Sequence, residues 1–150
     1  MVDFPILDLL PALRIKYAID DELHSLNSFA IKLLNNSTIN GNINMTAGTL
    51  DINGKKLTLK GDVVASAGTS FYSNSSTSDL EIQGSGSLTN SLMFSPAASL
   101  RDLTINRINS GIVKLSNHLD IIGHLNLTEG TLSVESSGTL SMNSNSCKIS

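Results

Sequence analysis

The sequence predicts an all-β protein, folded as a right-handed parallel β-solenoid. Three observations predict this class: an internal repeat, a regular succession of short strands, and a surface composition suited to strands and turns. Residues 27–53 align with residues 109–135 at a constant offset of 82, with twelve identities in 27 positions and no gap. Self-similarity at a fixed period is typical of architectures built by stacking one unit on the next.

Within each copy of the repeat, short strands follow one another at intervals of seven or eight residues. Ile43, Leu50 and Leu57 are spaced by seven, and apolar and polar residues alternate around each of them. Such alternation indicates strands with one buried face. Asn53-Gly54 is typical of the tight bends between strands. Three strands per circuit would need about 20–24 residues, which makes the 82-residue offset close to four circuits. An antiparallel array of hairpins remains the alternative.

The repeat places the solenoid domain in residues 27–150. Residues 1–26 contain helix-favouring positions and the acidic run Asp20-Asp21-Glu22, and they are expected to form an N-terminal capping helix or a degenerate rung. Residues 65–78, with their serine-rich end, are expected to form a long outer turn or loop. The residues expected to face the core are Ile39, Ile43, Leu50, Ile52, Ile121, Leu125, Leu132 and Val134.

Composition argues against several classes of function. Charged residues make up only 15% of the chain, whereas Ser, Thr and Asn fill 49 of 150 positions. A net charge of −3 does not provide the basic surface that nucleic-acid binding requires. No apolar run approaches the roughly 20 residues of a membrane-spanning helix. The single cysteine, Cys147, cannot form a disulfide within the chain.

The carboxylates are the first candidates for catalytic residues, because some parallel β-helices cleave polysaccharides. Asp79 and Glu81 share one strand face, and Asp102 is expected to neighbour them one circuit later. A hydrolase needs two carboxyl groups about 5–10 Å apart, one with a perturbed pKa. Solvated acids on a strand surface are the simpler interpretation, so we predict no catalytic residues and no enzymatic activity.

Metal, cofactor and ligand sites have little support in the sequence. His24, His118 and His124 lack the partners and spacing of a metal site, so no metal is predicted. No glycine-rich phosphate cradle is present, so no cofactor is predicted. Lys55, Lys56 and Lys60 are expected to form a charged corner or to protect a sheet edge. Phe71 and Tyr72, beside the serine-rich run, are the best candidates for contact with a ligand such as a glycan.

Residues 40–61 and 102–123, with the continuation of the latter to Val134, carry a family resemblance. They resemble the β-strand repeats of very large bacterial surface and secreted proteins, adhesin-like chains of which many are exported by the type IX route. The resemblance covers residues 27–145, and residues 1–26 depart from it. It implies a structural, non-enzymatic segment at the cell surface or outside the cell, whose partners are neighbouring repeats of a longer parent chain. A glycan-binding module and a polysaccharide-active β-helix enzyme are the alternatives.

Overall fold

A computed structural model describes residues 30–142 and 148–149 of the chain. Every regular element in this part is a strand. The strands are β1 (Ala30–Lys32), β2 (Ser37–Ile39), β3 (Ile43–Met45), β4 (Thr49–Asp51), β5 (Lys56–Leu59), β6 (Val63–Ala65), β7 (Ser70–Tyr72), β8 (Asp79–Ser85), β9 (Ser99–Leu100), β10 (Asp102–Ile108), β11 (Ile112–Leu115), β12 (His118–Ile121), β13 (His124–Glu129), β14 (Thr131–Val134), β15 (Thr139–Met142) and β16 (Lys148–Ile149).

All the strand pairs are parallel, and each strand pairs with strands two or three elements away in sequence. The largest sheet has six strands in the order β16-β13-β10-β8-β5-β2, so about five circuits separate its two edges. This topology confirms the parallel β-solenoid, and the antiparallel alternative is wrong. The hand of the coil stays a prediction.

Three faces run along the coil. The first face contains β1, β4 and β7. It continues through the bridges that pair Phe71 with Phe94 and Asn74 with Ser99, the first residue of β9, and it ends with β9, β12 and β15. The second face is the six-stranded sheet. The third face contains β3 and β6 at one end and β11 and β14 at the other. One continuous apolar core fills the space that these faces enclose.

Most of the residues expected to face the core do so. The buried members of that set are Ile39, Ile43, Leu50, Ile52, Ile121 and Leu125. Leu132 is half-buried and packs against the core. The expectation that Val134 is buried is wrong, because its side chain is 42% exposed. Val134 is in register with the buried Leu115, but in the described part of the chain β14 pairs only with β11, so its other side is uncovered.

An offset close to four circuits predicts that residues 82 apart occupy equivalent positions on different circuits, and this expectation is wrong. Starting at Ile39, the in-register partners lead through Leu59, Ile82 and Ile105 to Leu127. Four circuits therefore take 88 residues, from 39 to 127, and not 82. Ile121, the repeat equivalent of Ile39, lies one strand earlier, in β12 on the first face. The second copy is thus displaced by one face, because the four circuits take 20, 23, 23 and 22 residues, together six more than the 82-residue offset.

The expectation of an outer loop at residues 65–78 is also wrong. β7 lies inside this segment and pairs with β4, and it directs Phe71 into the core. Ser73 and Ser78 are fully buried as well. Only a short turn projects between these two serines. The capping helix or degenerate rung expected at residues 1–26 lies outside the described residues, as does Cys147.

Glycine occupies the corner between the second and third faces in successive circuits. A Cβ atom on Gly61 would lie 2.2 Å from the backbone oxygen of Gly41, and one on Gly111 would lie 2.4 Å from that of Gly86. A Cβ atom on Gly130 would lie 2.7 Å from the oxygen of Gly111. The stacked backbones approach too closely at this corner for any side chain.

We expect Gly61→Ala to destabilise the protein by about 1–3 kcal/mol, because the methyl group would overlap a backbone that cannot move without disturbing the next circuit. Gly41→Ala is the matched control, since a Cβ atom at Gly41 would meet nothing within 4 Å. Urea unfolding of the two variants measures the difference. Equal midpoints would contradict the close approach of the backbones at this corner.

Candidate functional site

The outer surface of the second face holds the carboxylates that the sequence singled out. Leu80 and Ile82 of β8 point into the core, so Asp79 and Glu81 point outward. Asp102 of β10 is in register with Asp79, which confirms that the two acids are neighbours one circuit apart. We call this surface, formed by Lys56, Asp79, Glu81, Arg101, Asp102 and His124, the charged face.

A basic side chain lies beside each acid of the charged face. Lys56 Nζ lies 2.6 Å from Glu81 Oε2. Arg101 forms a bidentate ion pair with Asp79, and its Nε lies 3.3 Å from Asp102 Oδ2. His124 donates its backbone N–H to Asp102 Oδ1 at 2.8 Å, and its Nδ1 lies 3.1 Å from the same oxygen. Each acid of this surface therefore has a basic side chain beside it, and Arg101 contacts both Asp79 and Asp102.

This arrangement differs from the carboxylate pair of a glycoside hydrolase. A general acid needs a raised pKa, whereas the hydrogen bond from Lys56 lowers the pKa of Glu81 more than burial raises it, with help from Gln83. Sugar rings also require aromatic platforms. Among the described residues the aromatic side chains are Phe71, Tyr72 and Phe94, and all three lie on the first face. The acids of the charged face thus lie in ion pairs on the strand surface, and the absence of enzymatic activity stays a prediction.

Lys55, Lys56 and Lys60 belong to the corner segments around β5. Lys56 forms the ion pair with Glu81, and the charge of Lys60 also acts on that carboxylate. The cluster is therefore part of the charged face and is partly neutralised there. This placement fits the expected charged corner more closely than a sheet edge, because β5 is paired on both sides, with β2 and β8.

Phe71 and Tyr72, the candidate ligand contacts, are separated by the alternation of β7. Phe71 is buried and packs against Phe94 with ring centroids 5.9 Å apart, so its ring is not accessible to a ligand. Tyr72 faces outward and is partly exposed. Its register neighbour is Asp51, which forms an ion pair with Lys32 at 3.6 Å. Tyr72 alone therefore remains a candidate for contact with a glycan.

The sequence interpretation missed a polar site at the corner between the second and third faces, built by Arg107. Arg107 is only 3% exposed as a residue, and its side chain points into the coil. It donates to four backbone oxygens, those of Gln83 and Gly86 at 2.6 Å, Ser85 at 2.7 Å and Gly61 at 3.1 Å. These acceptors belong to the two preceding circuits. One signal was available: Arg107 occupies the inward position that Leu103 and Ile105 occupy earlier in β10.

Asp62 lies near the same corner and supplies the compensating negative charge. Burial alone would raise its pKa, but hydrogen bonds from the hydroxyl and backbone N–H of Thr89 and from the N–H of Val63 outweigh that effect. The positive charge of Arg107 contributes in the same direction, so the pKa of Asp62 lies below its ordinary value of 3.8. Burial in turn lowers the pKa of Arg107, which the charge of Asp62 partly opposes.

These shifts predict that acid weakens the fold. Asp62 and Glu81 both have a lowered pKa in the folded protein, so near their ordinary values of 3.8 and 4.5 the unfolded chain binds more protons. Their stabilising contribution is therefore complete above that range and is lost as the pH falls through their folded pKa values. We expect a lower urea midpoint at pH 3 than at pH 7. The double variant Asp62→Asn, Glu81→Gln should show a shallower pH dependence, and an unchanged slope would contradict this assignment.

The histidines and the remaining acids form no further site in the described residues. His118 Nε2 lies 3.2 Å from Asp120 Oδ1 in β12, which belongs to a different sheet from the strands of His124 and Asp102. Across residues 30–142 and 148–149, no group of three or more His, Cys, Asp or Glu side chains is placed to hold a metal ion. The same part of the chain contains no helix long and apolar enough to cross a membrane. His24 lies outside it.

By its fold the chain is a parallel β-solenoid repeat protein. No family model matches it, and no curated protein and no solved structure matches it either. The coil geometry and the chemistry of its faces are therefore the basis for a functional proposal.

Proposed function

We propose that this chain is a structural stalk segment of a large adhesin-like protein at the cell surface or outside the cell. The observation that carries the proposal is the layered cross-section, which recurs in successive circuits: apolar columns inside and hydrogen-bonded polar side chains outside. A solenoid of this kind gains length by adding circuits while its cross-section stays constant. Its partners are then the neighbouring repeats of the parent chain.

The chemistry of the outer surface supports a spacer role. On the charged face, Lys56, Arg101 and His124 lie against Glu81, Asp79 and Asp102, so little charge is left to attract a ligand. On the first face, the hydroxyls of Thr49, Ser70 and Ser95 bond to one another along the coil axis. Such mutual bonding satisfies polar groups without a partner molecule.

A replacement experiment tests the stalk function. In the organism that produces the parent protein, deletion of this segment should reduce adhesion, because the binding tip would lie closer to the cell. Replacement by an unrelated β-solenoid with the same number of circuits should restore adhesion. Loss of adhesion in both strains would show that the segment itself binds, and retention in both would show that its length is not needed.

A glycan-binding module is the second candidate, and the exposed side of Tyr72 next to Asp51 and Lys32 favours it. An aromatic ring beside hydrogen-bonding groups is a suitable platform for a sugar. A glycan array probed with the full chain should then give a reproducible signal that Tyr72→Ala abolishes. Lys114→Ala, in β11 on the third face, is the matched control that should leave the signal unchanged. No signal with the unmodified chain would remove this candidate.

A further inference from the structure

The chain contains two Asn-Gly dipeptides at corners of the first two described circuits, and they differ in their hydrogen bonds. Asn40-Gly41 follows β2, and Asn53-Gly54 follows β4. Both asparagines are exposed to solvent. Asn-Gly is the dipeptide most susceptible to spontaneous deamidation, because glycine has no side chain to hinder attack by its own backbone nitrogen. Since both asparagines are exposed, the hydrogen bonds around each one determine which of the two reacts faster.

At Asn53-Gly54 both reacting groups are held. The Gly54 nitrogen, which would have to attack, donates its proton to Ser78 Oγ at 2.8 Å, and Ser78 is fully buried. The Asn53 side-chain nitrogen, which would have to leave, donates to the Leu33 oxygen at 2.8 Å. Asn53 also has a positive φ of 54° and is fixed by a bond from its N–H to Asp51 Oδ1. Its partners thus come from the circuits on both sides.

At Asn40-Gly41 the described residues offer no such restraint. Neither the Asn40 side chain nor the Gly41 N–H has a hydrogen-bond partner among them, and Asn40 does not have a positive φ. A Cβ atom on Gly41 would meet nothing within 4 Å, so the corner is open around the reacting atoms. The bonded groups of this corner are its neighbours: Ile39 accepts from Lys60, and Asn42 accepts from Asp62.

We propose that Asn40 is a site of spontaneous deamidation in the folded protein and that Asn53 is protected by the coil. The Gly41 nitrogen attacks the side-chain carbonyl carbon of Asn40, a carbon–nitrogen bond forms, and the amide nitrogen leaves as ammonia with the proton that the Gly41 nitrogen gives up. Water then opens the resulting succinimide at either carbonyl. The product is aspartate, or isoaspartate with one extra atom in the backbone.

The position of Asn40 gives this modification a structural consequence. The oxygen of Gly41 lies so close to Gly61 that the two circuits have no room for an added backbone atom. Isoaspartate at position 40 should therefore loosen the contact between the first two described circuits, and it adds a negative charge beside them. The modified fraction of the protein should unfold at a lower urea concentration than the unmodified fraction.

Incubation of the full chain at neutral to mildly alkaline pH, followed by peptide mass mapping and isoaspartate detection, tests the proposal. A sample in urea gives the rate of each site without structure. We expect Asn40 to react in the folded protein at a rate within about threefold of its unfolded rate, because no hydrogen bond between its reacting groups and the described residues has to break first. Asn53 should react at least about tenfold more slowly than in urea, since every 1.4 kcal/mol of opening free energy gives a factor of ten.

Two variants assign the effect to the named groups. Gly41→Ala should slow the reaction at Asn40 without changing Asn53, because a methyl group hinders the attacking nitrogen. Ser78→Ala removes the acceptor of the Gly54 N–H and should accelerate Asn53 alone. Equal protection of both asparagines in the unmodified folded chain would overturn the proposal, as would equal rapid reaction of both. That comparison does not depend on whether either variant folds.

Discussion

Arg107→Met should destabilise the protein by about 3–5 kcal/mol, the loss expected when one member of a buried polar network is removed. Methionine fills a similar volume but cannot donate to the oxygens of Gly61, Gln83, Ser85 and Gly86. These four oxygens would lose the hydrogen bonds of the guanidinium, and Asp62 would lose its compensating charge. Urea unfolding at pH 7 measures the effect.

Arg101→Met is the matched control for this prediction. Arg101 is also in an ion pair, but its side chain is 47% exposed, and an exposed pair of this kind contributes less than about 1 kcal/mol. Arg101 directly precedes β10 and Arg107 lies near the other end of the same strand, so the two variants compare an exposed arginine with a buried one. Similar losses for both variants would show that the Arg107 corner relaxes or takes up water.

Alternation in the sequence was sufficient to predict strands of the second face and, for Ile39 and Leu125, the inward residue. Leu57, Leu80 and Leu103 are in-register partners in successive circuits, and each is flanked by polar residues that point outward. A side chain every second residue must face the same side of a strand, so the pattern determines the buried face directly. The placement of Asp79 beside Asp102 follows from the same rule.

The sequence did not reveal β7 within residues 65–78, because there alternation has only one apolar member. Phe71 is the single inward apolar residue of Ser70-Phe71-Tyr72, and the neighbouring core positions are taken by Ser73 and Ser78. Serine is usually exposed. Here the two serines are compatible with burial because their hydroxyl groups are hydrogen-bonded. Ser78 Oγ accepts the backbone N–H of Gly54, and Ser73 Oγ accepts that of Ser75. Composition alone cannot distinguish such a paired serine from one in a loop.

The displaced repeat has a similar physical origin. Each face of the coil is built from the same local sequence pattern, an inward apolar residue followed by a polar corner. Asn36 after β1 accepts the N–H of Lys56, and Asn117 before β12 accepts that of Phe94. Because one corner sequence serves different corners, identity between the two copies could not indicate which face each copy occupies. Only the strand register resolves it.

Phe71→Ala should cost about 3–5 kcal/mol, because it removes a fully buried aromatic ring and leaves a cavity. Phe71 is 2% exposed, lies between Leu50 and Phe94 in successive circuits, and packs its ring against that of Phe94. Collapse around the cavity is limited, because backbone hydrogen bonds along the axis fix the spacing of these circuits.

Tyr72→Ala is the control in the adjacent position, and its outward side chain should contribute less than about 1 kcal/mol. Urea midpoints measure both variants. A small loss for Phe71→Ala with a large loss for Tyr72→Ala would mean that β7 faces the other way, and it would return Phe71 to the surface as a ligand contact.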